Sequence, residues 1–215
     1  MKTRTLLITF ILSGLIQASA QDRNFNFGLK IAPAVSWLNA DQKGLSSDGP
    51  LARLNWGFIG SYNFSENFAL VSGFNINSLG GKLKFEYDEN RLLDPSQAQL
   101  INGTVKSKNR YSELQIPALF QMKSNDMGGF KIYFQLGFAQ GVFLTAKNGD
   151  GESIRSQTRP FNTSWVIASG IDFPVTGGIS LLGQIKYNGG LTNVGKGDFS
   201  GVKASFIELG VGVLF

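Results

Sequence analysis

The chain carries no histidine and no cysteine. The usual general base, the commonest metal ligand and the thiol nucleophile are therefore missing. Serine hydrolysis of the Ser-His-Asp kind is excluded for lack of its base, and so is any disulfide. The charged residues that could act together are Lys30, Arg53, Glu113, Lys131, Asp172, Lys186 and Glu208. None falls at a spacing suggestive of paired carboxylates working as acid and base. Their available chemistry is ion pairing. Lys131 and Asp172 are expected to face each other, Glu208 to meet Lys30 or Lys186, and Arg53 and Glu113 to lie at matching strand ends. No catalytic residue, metal ligand or cofactor is expected. Asn148-Gly-Asp-Gly151 has turn chemistry but lacks the alternating carboxylates and closing Glu of a calcium loop. No glycine-rich stretch opens a helix, so no phosphate cradle is expected. Lysine and arginine are scattered along the chain, without the dense stripe that nucleic acid requires.

The elements that must position these charges alternate strictly. From Phe25 to Trp37, Phe25, Phe27, Leu29, Ile31, Pro33, Val35 and Trp37 share one face, while Asn26, Gly28, Lys30, Ala32, Ala34 and Ser36 share the other. Period two is the signature of a strand between two different environments. The same pattern recurs over 53–64, 68–82, 110–123, 130–144, 162–173, 179–187 and 205–215. In each strand the apolar face is continuous and the other face holds small and polar residues. The connections alternate long, short, long, short, long, short, long. No run reaches about 18 apolar residues, so a helical membrane span is excluded. Strands of about ten residues, one greasy face each and sorted connections predict an all-β fold. It is an eight-stranded antiparallel up-and-down transmembrane β-barrel, with long loops outside and both termini in the periplasm.

Other features support this prediction. Met1–Ala20 has Lys2 and Arg4, a short apolar run and Ala18-Ser-Ala20, the layout of a cleavable signal peptide. The expected domain is then 21–215. Removing Lys2 and Arg4 takes the formal net charge from +5 to +3. Charged residues are 16% of the chain, below the roughly 25% of soluble domains. Trp37, Trp56 and Trp165 sit next to long connections; Phe64, Phe68, Phe130, Phe173 and Phe215 sit next to short ones or the C-terminus. Two aromatic girdles at the membrane interfaces are expected. The last strand, ending in Phe215, resembles the signal read by the barrel-assembly machinery.

A barrel of eight strands is only wide enough for side chains to fill. The inward set is expected to form a polar, ion-paired plug instead of an open pore. Pro117 falls mid-strand and cannot donate to a ladder, so a bulge at or beside it is expected.

Leu114-Gln-Ile-Pro-Ala-Leu-Phe-Gln-Met-Lys123 resembles the "Tyr-Leu-Glu-Ile-Pro-Leu-Leu" segment of PorT-like outer-membrane β-barrel proteins. Gly28-Leu-Lys-Ile-Ala-Pro33 and Gln184-Ile-Lys-Tyr-Asn-Gly-Gly-Leu-Thr-Asn193 are similar to two further segments of that family, in the same order. Gln115 stands where the family usually has Glu, and Lys186 where it often has Arg. The resemblance implies an outer-membrane barrel with a lipid bilayer around it. Its founding member is tied to protein secretion, which implies protein partners at the external loops, the longest being about Glu86–Asn109. Two other functions fit the residues: a narrow small-solute channel, and a soluble periplasmic lipid-binding barrel.

Overall fold

The computed structural model describes residues 24–41, 45–86, 99–101, 104–175, 178–196 and 201–215. The expected signal peptide and residues 87–98 and 102–103 of the longest connection lie outside them. The strands are β1 (Phe25–Ala40), β2 (Leu45–Gly49), β3 (Leu51–Asn63), β4 (Phe68–Glu86), β5 (Gln99–Ile101), β6 (Thr104–Lys123), β7 (Lys131–Lys147), β8 (Phe161–Pro174), β9 (Ser180–Gly190) and β10 (Val202–Leu214). All pairings are antiparallel. The ladder runs β3-β1-β10-β9-β8-β7-β6-β4, and β4 returns to β3, so these eight strands form a closed barrel. β1 seals it, with Lys30 opposite Gly57 of β3 on one side and Gly212 of β10 on the other. Closure leaves no free edge among these eight strands over the height of the barrel.

Side-chain direction follows the alternation. On β1, Leu29, Ile31 and Val35 are 49%, 48% and 42% exposed, whereas Lys30, Ala32 and Ser36 are buried. Phe58, Phe74, Leu136, Phe138, Leu209 and Val211 are likewise exposed on the outer wall. The greasy faces point out and the hydrophilic faces point in. This is the reverse of a soluble barrel, whose core would hold the apolar set.

Two proline-containing stretches show how a closed ladder tolerates a missing donor. β6 stays paired with β7 straight through Pro117↔Ala139. Toward β4 the ladder lapses between Val71↔Leu119 and Asn75↔Gln115, with the same register on either side. No residue is inserted, so the expected bulge at Ile116–Pro117 is replaced by a gap, which Ser72 Oγ bridges by donating to the Pro117 carbonyl at 2.7 Å. The register shift in the β6–β7 ladder falls between Ser112 and Glu113, where Leu144 is left over. The second stretch is at Pro33, which keeps its pair with Leu54 while the β1–β10 ladder skips from Ile31↔Val211 to Ala34↔Glu208.

The barrel is uneven at its loop end. β4 has 19 residues and β6 has 20, about twice what a tilted crossing needs. They continue as a paired hairpin to Glu86↔Thr104, with β2 docked on β4 and β5 on β6. The polar connections expected over 39–52 and 86–109 therefore contain strand. The β3–β4 ladder ends at Trp56↔Ile76. Beyond that point β2 replaces β3 beside β4, and Asn55 Oδ1 accepts from the Ser78 backbone N–H at 2.9 Å across the split.

Candidate functional site

The lumen is the place where this chain brings polar side chains together. Near its middle lies Glu208, wholly enclosed. Lys30 Nζ is 2.7 Å and Lys186 Nζ 2.8 Å from Glu208 Oε1, and Asn55 Nδ2 donates to Oε2 at 2.8 Å. Register explains the geometry: Ala34 of β1 and Lys186 of β9 both stand directly opposite Glu208 on β10. A buried carboxylate must be paired and fully hydrogen-bonded. Here it takes both lysines that the sequence offered as alternatives.

Amides extend the network. Gln184 donates to Gln135 at 3.0 Å, and Gln135 to Gln121 at 2.5 Å. Gln115 accepts from Asn77 at 3.0 Å and donates to Ser164 at 3.2 Å. Glu113 accepts from Asn162 at 2.8 Å, and its other oxygen finds no donor among the described residues. The Glu113 carboxylate fills the space over Gly141, where a Cβ would fall 1.6 Å from Oε1. At the turn end Lys123 lies 4.0 Å from Asp172 and donates to Asn63 at 3.1 Å.

Two expected pairings are corrected. Lys131 is registered opposite Asp172, but the ion pair of Asp172 is with Lys123. Lys123 stands on β6, on the far side of β7 from Asp172. Arg53 and Glu113 form no ion pair among the described residues. Arg53 lies beyond the end of the β3–β4 ladder, with its Nη2 against Gly80, while Glu113 turns toward β7 and β8.

The interior is not polar throughout, as the sequence led us to expect. At the loop end Leu38, Leu45, Leu79, Leu83, Tyr111, Phe143, Val194, Val202 and Phe206 pack into one buried apolar cluster. Lys186 Nζ sits 5.2 Å above the Phe206 ring, where the polar layer meets this stopper. Val194 reaches it from the β9–β10 connection, which is held by a backbone hydrogen bond from Val194 to Val202 O at 2.7 Å. A void lined by Lys30, Gln115, Gln135, Gln184 and Lys186 has a volume of about 30 Å³, room for one or two waters.

The aromatic residues expected in the girdles lie on the outer wall. Tyr187 bridges Trp165 (centroids 5.0 Å apart) and Trp37 (6.1 Å) toward the loop end. Phe64, Phe68 and Phe120 cluster near the turn end, and Phe27 lies 5.9 Å from Phe215. Phe130 is half-buried and Phe173 exposed there. Trp56 is also exposed, but it sits inside β3 and not at a strand end, because the strands run on past the expected boundary.

A closed eight-stave antiparallel barrel with an apolar outer wall and a filled interior defines the class of small outer-membrane barrels. Residues 17–195 match the family described as "Outer membrane protein beta-barrel domain", and the chain belongs to that family. It resides in the outer membrane. Among solved structures it is similar to Neisserial surface protein A, with 14% identity, TM-score 0.52, and coverage of 88% of this chain and 95% of that one. It is also similar to OprG from Pseudomonas aeruginosa, with 12% identity, TM-score 0.51, and coverage of 89% and 95%. At these identities the likeness is one of fold. A comparison with curated proteins found no match.

Proposed function

We propose that this protein is a non-enzymatic, PorT-like outer-membrane scaffold that presents its external end to a protein partner in secretion or surface attachment. The observation that carries this reading is the lumen: ion-paired at mid-height, stoppered by Leu38, Leu83, Phe143 and Phe206, with a void of about 30 Å³ beside the ion pairs. A path for solute would not be filled in two chemically different layers. What such a barrel has left to offer is its external surface, held on a rigid frame. The β4–β6 hairpin carries that surface beyond the rim and supports the longest connection. The order of the 28–33, 114–123 and 184–193 segments supports the PorT-like assignment.

The test is chemical cross-linking in the native outer membrane, comparing the full chain with a variant in which 87–98 is replaced by a short Gly-Ser linker. The proposal expects a discrete cross-linked partner that is lost in the variant, while both forms keep heat-modifiable migration. An unchanged cross-link pattern would overturn the role assigned to this loop.

A further inference from the structure

The outer wall of the β4–β6 hairpin carries a cationic face that the lumen and the loops do not account for. Leu79, Leu83 and Tyr111 point inward and are buried. By alternation Lys82 and Lys84 of β4 and Lys106, Lys108 and Arg110 of β6 point outward. Their register stacks like on like: Lys82 is opposite Lys108, Lys84 opposite Lys106, and Arg110 opposite Lys147 of β7. Like charges directly opposite one another destabilise a sheet. Among the described residues one ion pair relieves this face, Lys106 with Asp48 at 3.2 Å. Arg110 and Arg53 converge on Gly80: Arg110 is its ladder partner, and Arg53 Nη2 lies 3.2 Å from the position of a Cβ there. Arg110 Nη2 donates to Gly149 O at 2.8 Å. Arg110 Nε and Arg53 Nε and Nη2 are enclosed and find no acceptor among the described residues.

Height identifies the occupant. On this wall the apolar belt ends at Ile76 opposite Leu114, followed by Ser78 opposite Ser112. The cations begin at Arg110, about 10 Å further out, and continue to about 20 Å for strands tilted near 45°. The headgroup layer of a plain phospholipid is only about 5–8 Å deep. Long side chains can reach down to it from the lowest row, but the upper rows need a headgroup that itself extends outward. We propose that this face binds the phosphate groups of a phosphorylated glycolipid in the outer leaflet. Arg110 would meet the lowest phosphate, with Lys82, Lys84 and Lys108 above it. The proposal rests on the outer-membrane location and is independent of the protein partner.

The test uses the full chain refolded into phosphatidylcholine vesicles containing a fluorescent lipopolysaccharide with a phosphorylated inner core, or the same glycolipid dephosphorylated. Retention on the purified barrel is measured, with soluble inorganic polyphosphate as competitor. A K82Q/K84Q/K108Q/R110Q variant is compared with K82R/K84R/K108R and with a K196Q/K203Q control. Heat-modifiable migration shows separately that each form is inserted. The expected result is phosphate-dependent retention that falls at least tenfold in the glutamine variant. It should persist in the arginine variant and the control, and weaken with salt. Equal retention of the dephosphorylated lipid, or an undiminished glutamine variant, would overturn the proposal. Polyphosphate binding as tightly as the membrane-held lipid would also overturn it, in favour of a polyanion from the medium.

Discussion

Glu208 holds two lysines that would otherwise repel each other in a closed space. Removing one member of a buried ionic group leaves uncompensated charge and costs about 3–5 kcal/mol, whereas exchanging the whole group for apolar residues can be close to neutral. Glu208→Gln should therefore lower stability by about 3 kcal/mol or more in urea unfolding from lipid vesicles. The triple replacement Lys30→Met, Glu208→Leu, Lys186→Met should be milder than that single change. A triple variant worse than the single would show that the charges do more than balance. Glu113 gives a second test. At Gly141 an added methyl would displace its carboxylate and the Asn162 hydrogen bond. Gly141→Ala should cost about 1–3 kcal/mol by overcrowding, and Glu113→Ala in the same background should recover part of the loss.

Among the elements, β6 shows what proline does inside a closed wall. The gap beside Pro117 faces lipid, where water cannot satisfy a carbonyl. Ser72→Ala removes the donor with little change in volume, so it should cost about 1–3 kcal/mol in the same unfolding assay. No effect would mean that the gap is satisfied otherwise. The staves and the direction of their faces were legible in the sequence because each strand kept period two with one continuous apolar side. The partners of Glu208 were legible as a short list, since few lysines share the inward parity. Three features were not. The extensions of β4 and β6 alternate too, but lysine on their outer faces made them read as polar connection. The cationic face alternates with inward residues on both arms of one hairpin, so it looks scattered when the chain is read linearly. The stopper escaped notice because its members come one or two per strand, and Val194 from a connection. Only the closure of the sheet places them together.

At the scale of the whole molecule, the barrel is lipid-facing outside and packed with side chains within. Phe206, Phe143 and Leu83 close the loop end, and the Lys30–Glu208–Lys186 group closes the middle. Either layer alone blocks the bore, so loss of one should not open it. The most direct measurement is single-channel conductance of the purified, refolded chain in planar bilayers, alone and with Phe206→Ala and Leu83→Ala together. No steady conductance is expected from the native protein, and at most brief flickers from the double variant. A steady, sizeable conductance from the native chain would contradict this.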